Sequence, residues 1–235
     1  MITKKTNKTT PVDFAAGEVI LIDKDAGWTS FDVVKKIRNI AGVKKVGHAG
    51  TLDPFATGLL IICTGKMTKQ ISEYQDLYKT YSGVFYLGKR TDTMDPEGKI
   101  ISEGSFENIT EEEIFNTRKK FLGVIEQIPP MFSAKKFKGK SLYKYARKGV
   151  EIERKPVKIE ILNFEIEKID LPKVHFTVSC SKGTYIRVLA DDFGSALGCG
   201  AYLQELRRIS IGEYNVENAL KIDEFNERFS GIDCN

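Results

Sequence analysis

The sequence predicts an α+β fold, and three observations carry that expectation. Short apolar or alternating runs suited to strands recur at residues 19–22, 59–63, 81–87, 157–166 and 174–179. Helical patterns lie between them, at residues 31–40, 110–122 and 184–197. The two kinds of segment mix without the steady alternation of a doubly wound sheet. A chain of 235 residues is sized for one large domain or two small ones, and a single domain over residues 14–235 is expected.

Residues 1–13 are polar, rich in Lys and Thr, and read as a loose tail. Val19, Ile20, Leu21 and Ile22 form the first strand, and Gly27-Trp28-Thr29-Ser30 turns the chain, with Ser30 as N-cap. Phe31, Val34, Ile37 and Ile40 recur at intervals of three, as one buried helix face requires, and Gly42 stops that helix. A loop rich in Gly, Thr, Asp and Pro follows over residues 46–58, then the apolar run 59–63. Tyr81, Gly83, Phe85 and Leu87 alternate with their neighbours as a strand, leading into the turn-rich stretch 90–98. Thr110 and Glu113 make a capping box for the next helix. Two strands come next, then a helix closed by Gly198, a last short strand at 209–211 and a polar helix around 222–229.

Composition excludes several function classes. With 41% hydrophobic and 29% charged residues, wholesale disorder is ruled out. No run approaches the ~18 apolar residues of a membrane span. The basic N-terminus has no apolar stretch behind it, so a secretory signal is not expected. Cys63, Cys180, Cys199 and Cys234 form no C-x-x-C pair, which disfavours a zinc site; reduced thiols in a cytoplasmic protein are expected. Only His48 and His175 exist, so H-E-x-x-H chemistry is excluded. Gly65-Lys66 lacks the spacing of a phosphate loop, and Gly198-Cys199-Gly200 lacks the third glycine of a dinucleotide fingerprint.

Charge is concentrated rather than spread. The 36 Lys+Arg and 32 Asp+Glu leave a net charge of +4. Residues 131–150 alone hold seven basic side chains and no acid, so the rest of the chain is slightly acidic. Phe132, Phe137, Tyr143 and Tyr145 are interleaved with Lys135, Lys136, Lys138, Lys140, Lys144, Arg147 and Lys148. Cations that displace counterions and rings that stack on unpaired bases suit single-stranded or looped RNA. A solvated basic hairpin with its aromatics in the core is the plainer alternative.

The loop Gly47-His48-Ala49-Gly50-Thr51-Leu52-Asp53-Pro54-Phe55-Ala56-Thr57-Gly58 carries the other signal. Its glycines let backbone approach a ligand, Pro54 stiffens the chain, and Asp53 is its only carboxylate. Such a loop can present a carboxylate rigidly as nucleophile or base. On spacing alone, an aspartate capping a turn is the commoner outcome.

This loop resembles the signature of the TruB-type tRNA pseudouridine synthases, and five further blocks resemble that family in the same order. They are Lys24…Gly27-Trp28-Thr29-Ser30; Lys79-Thr80-Tyr81 with Leu87-Gly88-Lys89-Arg90-Thr91-Asp92-Thr93-Met94-Asp95; Gln127-Ile128-Pro129-Pro130-Met131-Phe132-Ser133-Ala134-Lys135; Ser181-Lys182-Gly183-Thr184-Tyr185-Ile186-Arg187; and Leu206-Arg207-Arg208. Together they cover about residues 19–220.

The resemblance implies the pseudouridine synthase fold, a central mixed sheet with helices and RNA-contacting loops, and isomerisation of uridine 55 in the T loop of tRNA. The uridine must leave the stack to react. Asp53 then matches the catalytic aspartate, Arg187 the arginine that pairs with it, and Tyr81 the tyrosine that stacks on the flipped base. Whether the carboxylate attacks the base, attacks the ribose or removes a ribose proton stays open. His48 matches a residue that packs into the T loop, Tyr185 and Leu206 match pocket positions, and Asp95 matches an acidic residue near the RNA loop. Lys24, Lys135, Lys136 and Lys138 are placed among the substrate contacts, the last three in a basic insertion at about 128–155 that folds over the RNA. No cofactor or metal is implied, because the reaction is an internal rearrangement, and a monomer with tRNA as partner is expected.

Two departures stand out: Asp25 replaces the family's usual proline and Ala49 a frequent threonine, the first expected to loosen the turn before the helix. The chain also reads as a short form without the C-terminal RNA-binding domain of many members. Two rival readings are a tRNA chaperone in which catalysis is secondary, and an enzyme of the same fold acting on another RNA.

Overall fold

The computed structural model describes residues 1–7, 9–133, 135–137 and 139–230. Its first elements are β1 (Val19–Lys24), α1 (Ser30–Ala41), β2 (Val46–His48), β3 (Thr57–Thr64), α2 (Ile71–Asp76) and β4 (Lys79–Leu87). Next come β5 (Lys89–Thr91), β6 (Ile100–Glu103), α3 (Glu111–Lys119), β7 (Gly123–Gln127), β8 (Lys136–Phe137), β9 (Lys140–Ser141) and α4 (Leu142–Ala146). The chain ends through β10 (Val157–Asp170), β11 (Lys173–Cys180), α5 (Ile186–Ala196), β12 (Ala201–Ile211), β13 (Tyr214–Asn215) and α6 (Ile222–Phe229). The composition is α+β, as expected. Two compact units result: residues 1–82 with the chain from Leu206 onward, and residues 83–205. The strands β4 and β12 each pass from one unit into the other.

In the first unit β3 is the central strand. It runs antiparallel to β1, from Val19↔Cys63 to Lys24↔Gly58, and antiparallel to β2. It pairs in parallel with β12 at Arg207↔Thr57 and Arg208↔Gly58, so the sheet is mixed. The uninterrupted apolar character of β1 and β3 follows from burial on both faces. Ile20, Ile22, Leu60 and Ile62 pack with Val33, Val34 and Ile37 of α1 and with Phe225 and Phe229 of α6. Val19, Leu21, Leu59, Ile61 and Cys63 face a second core with Ile211 and Val216. Burial of each such side chain contributes about 1.5–3 kcal/mol.

The start of α1 corrects the sequence reading. Thr29, not Ser30, is the N-cap; it accepts the Asp32 N–H while the Asp32 carboxylate accepts the Thr29 N–H. Ser30 is the first helical residue and is buried, its hydroxyl turned to the loop described below. The helix ends where expected, at Gly42 with φ 63°. The loose-tail reading also fails at the N-terminus itself. Ile2 is buried, its N–H donates to the Val19 carbonyl at 2.7 Å, and it packs into the α1–α6 core.

In the second unit β10 pairs antiparallel with both β11 and β7, and β4 neighbours β11. Phe85, Phe164, Phe176 and Phe193 are all buried and form one aromatic core, with Phe85 stacked on Phe176 at 4.1 Å. The predicted capping box of Thr110 and Glu113 opens α3. The strand β12 begins eight residues before the predicted 209–211. Its polar residues Gln204, Glu205, Arg207 and Arg208 hide an alternation whose buried members include Ala201, Leu203, Leu206 and Arg208.

Candidate active site

The loop between β2 and β3 is anchored almost residue by residue, all within the first unit. Ala49 N–H donates to the Ile61 carbonyl at 2.9 Å. Ser30 Oγ accepts the Leu52 N–H at 2.9 Å and donates to the Leu52 carbonyl at 3.2 Å. The Pro54 carbonyl accepts the Gly27 N–H at 2.9 Å and Lys24 Nζ at 3.3 Å. Arg208 donates from Nη2 to the Gly50 carbonyl at 3.1 Å and from Nε to the Leu59 carbonyl at 2.7 Å. Ala49, Leu52 and Ala56 bury their side chains, whereas Asp53 is half-buried. Both backbone neighbours of Asp53 are therefore tied to other elements, and the carboxylate is presented on a fixed frame.

Gly58 closes the loop where β3 meets β12. Its φ is +103°, and a Cβ there would stand 2.3 Å from the Arg208 carbonyl oxygen, so no other residue fits without moving the strand. His48, at the other end, is half-buried; burial first, and then the Arg208 guanidinium, lowers its pKa, against a backbone bond with Gly50 that raises it. The imidazole is therefore neutral at physiological pH, suited to packing against a base rather than pairing with phosphate.

Lys24, placed by the sequence among the substrate contacts, is fully buried, and Nζ donates to the carbonyls of Asp25 at 3.0 Å, Trp28 at 2.7 Å and Pro54. It thereby ties the turn to the loop. Asp25, expected to loosen that turn, is ion-paired with Lys221, which also bridges to Asp23 at 3.0 Å. Asp23 in turn takes a bidentate pair from Arg207 at 2.9 and 3.0 Å. Tyr81 on β4 and Leu206 on β12 are both buried residues of this unit.

A second preorganised group lies in the other unit. Arg187, at the start of α5, is only 5% exposed. Nη1 donates to the Thr93 carbonyl at 3.0 Å and to Asp95 Oδ2 at 3.2 Å, and Nη2 donates to the Phe132 carbonyl at 2.8 Å. Asp95 is buried too, and its Oδ1 accepts the Thr93 hydroxyl at 2.5 Å and the Glu97 N–H at 3.1 Å. Met94 between them takes φ 62°, the tight backbone that aims Asp95 at the guanidinium. Asp95 is thus paired with Arg187 inside this unit, a partner the sequence reading, which put it near the RNA, did not name. The same unit sets Tyr185: the buried Gln127 side chain accepts its N–H at 2.8 Å and donates to its carbonyl at 3.1 Å.

Ser30, Arg208 and Gln127 are positioning residues that sequence reasoning missed as such: it named Arg208 and Gln127 only as members of blocks, and Ser30 as a helix cap. Only tertiary contacts reveal what each one grips.

The basic segment is built differently. The hairpin β8–β9 turns at Gly139 and is followed by α4, whose Leu142 is the buried anchor. Lys135, Lys140, Lys144, Arg147 and Lys148 are exposed. Phe137 pairs edge-on with Tyr145 at 6.1 Å and Phe132 with Tyr143 at 6.1 Å, while Arg147 lies 5.1 Å over the Tyr143 ring. Phe137 and Tyr143 are 38% and 42% exposed, so these two rings are surface groups rather than core. Lys136 contributes its backbone to β8, and Lys138 lies outside the described residues.

A rigid carboxylate loop, a buried arginine seat and an exposed aromatic-basic segment go with the pseudouridine synthase fold. A solved Cbf5-Nop10-Gar1 complex matches with a TM-score of 0.71 and 28% identity, over 92% of this chain and 55% of that one. A structure of an H/ACA RNP bound to a substrate RNA containing 2'-deoxyuridine matches with a TM-score of 0.67 and 26% identity, over 91% and 53%. The present chain spans about half the length of those chains. The chain belongs to the TruB family: its residues 38–186 match the TruB family pseudouridylate synthase N-terminal domain, and residues 187–230 match the tRNA pseudouridylate synthase B C-terminal domain. The tRNA pseudouridine synthase B of Flavobacterium johnsoniae is 50% identical over 225 residues, covering 93% of this chain and 98% of the relative. That of Geotalea uraniireducens is 48% identical, covering 89% and 67%.

Proposed function

We propose that this protein converts uridine 55 in the T loop of tRNA to pseudouridine, with Asp53 as the catalytic carboxylate. The observation that carries this reading is the Asp53 loop, whose backbone is hydrogen-bonded on both sides of the aspartate within a chain half identical to tRNA pseudouridine synthase B. In the reaction the N1–C1' bond breaks, the base turns, the C5–C1' bond forms, C5 loses its proton and N1 gains one. Atoms balance without any added reactant. By the family resemblance Arg187 is the arginine that pairs with this carboxylate, and such a pair keeps a carboxylate ionised and oriented. By the same resemblance Tyr81 is the residue that stacks on the flipped uracil and assists removal of the C5 proton, and Leu206 and Tyr185 are matched to pocket positions. His48 fills the gap the base leaves in the loop. The exposed lysines of 131–150 hold the stem by its phosphates and set affinity more than rate. We place it in the cytoplasm as a monomer, on the family resemblance alone.

The test is tritium release from tRNA transcript labelled at uridine C5, with the modified position mapped chemically. Release from position 55 is expected. Asp53→Asn should lower the single-turnover rate by about 10⁴-fold or more while tRNA still binds. Full turnover by that variant would overturn the assignment of Asp53, and wild-type protein that binds tRNA without tritium release would favour the chaperone reading. Modification mapped only to another position or another RNA would overturn the substrate.

A further inference from the structure

Resting on the tRNA reading above, we propose that the cleft beside α1 is a second RNA-contact site, which takes a nucleotide of the strand adjoining the flipped uridine. The cleft has a volume of about 400 Å³ and is lined by Gly27, Trp28, Asp32, Lys35, Lys36 and Asn39. That volume accommodates one nucleotide. The lining chemistry matches one as well: an indole face for a base, two ammonium groups for a phosphate and an amide for hydrogen bonds. Phe31 lies one helical turn before Lys35 and is 63% exposed, an unusual cost for a phenyl ring beside a functional loop. This pairing of rings with lysines repeats the make-up of residues 131–150, on another element.

Charge favours a polyanion. From Thr29 to Lys45 the chain holds Lys35, Lys36, Arg38, Lys44 and Lys45 against the single acid Asp32. The Asp32 carboxylate is committed to the helix cap, accepting the Thr29 hydroxyl at 2.6 Å and the Thr29 N–H at 3.0 Å. Position favours the substrate strand. The Gly27 N–H is bonded to the carbonyl of Pro54, the residue after Asp53, and Lys24 Nζ bridges the Trp28 and Pro54 carbonyls. The wall of the cleft and the catalytic loop are therefore one hydrogen-bonded body. On this proposal an RNA strand that delivers a base to Asp53 would place a neighbouring nucleotide beside Trp28.

The experiment measures tRNA affinity by filter binding at several salt concentrations for Lys35→Glu/Lys36→Glu. The double variant Lys158→Glu/Lys168→Glu, an equal charge change at exposed positions of β10, is the reference for long-range electrostatics. The α1 variant should raise Kd about tenfold over that reference and lower the slope of log affinity against log salt by about 1–2. Phe31→Ala, which removes an exposed ring and leaves the core alone, should raise Kd about fivefold with the slope unchanged. An α1 variant equal to the reference, together with a Phe31→Ala equal to wild type, would overturn the site. Should the double variant fail to fold in a melting measurement, Phe31→Ala decides alone. Failure of the tRNA reading shows separately, as wild-type protein that binds tRNA but releases no tritium from it.

Discussion

The Asp53 loop and the segment 131–150 both consist of residues that ordinarily sit at surfaces, yet they are built in opposite ways. The loop draws its anchors from β1, α1, β3 and β12, and buries Ala49, Leu52 and Ala56 beneath it. The basic segment anchors itself mainly through its own short hairpin and helix, with Leu142 as its buried contact and most of its described lysines in solvent. A fixed frame suits a group whose aim governs a barrier, because small displacements are costly in rate. Exposed cations suit a group that must reach a polyanion and release counterions. Changes in the frame should therefore act on the rate of the chemical step, and changes in the segment on affinity.

That contrast can be broken at graded points. Below Asp53→Asn, the largest effect expected is from Arg187→Lys. A single ammonium cannot reproduce the fork that meets Thr93, Asp95 and Phe132, so the single-turnover rate should fall by about 10²–10³-fold. Asp95→Asn keeps the shape but removes the charge behind the guanidinium; a fall of about 10- to 100-fold in the same rate, with tRNA affinity within threefold, is the expected pattern. Ser30→Ala deletes both bonds to Leu52 and should slow turnover by about three- to tenfold. Melting should show a loss of about 1–2 kcal/mol, and Ser30→Thr should recover part of the rate. If any of these three raised Kd while sparing the rate, the frame would be a binding device and the contrast would collapse. In the segment, Lys140→Glu/Lys144→Glu should raise Kd about tenfold and flatten its salt dependence, with saturating tRNA restoring most of the turnover. A rate defect that saturation cannot restore would show that the segment takes part in chemistry.

Much of this was legible before any coordinates. The periodicity of 31–40, the capping box at Thr110 and the alternation of 81–87 each depend on neighbours in sequence, and each element formed where those patterns lie, although Phe31, read as part of the buried face, is 63% exposed and the face is made by Val33, Val34, Ile37 and Ala41. The motif blocks were legible for the same reason. What misled was polar residues with remote partners. Ser30 looked like an N-cap because serine caps helices, but its partner is Leu52, 22 residues on. Lys24 was placed among the substrate contacts, but it is fully buried and its ammonium donates to three carbonyls. Arg208 made β12 look short because a buried arginine breaks a hydrophobicity count.

By itself the sequence determined the family, the α+β character, the carboxylate loop and the place of the basic segment. All of these are written in local pattern and residue type, where chain neighbours decide the outcome. Tertiary structure alone decided which polar side chains are buried to hold the frame and which stay exposed. A buried ammonium, guanidinium or hydroxyl is stable only where hydrogen-bond partners replace its water, and those partners come from distant parts of the chain.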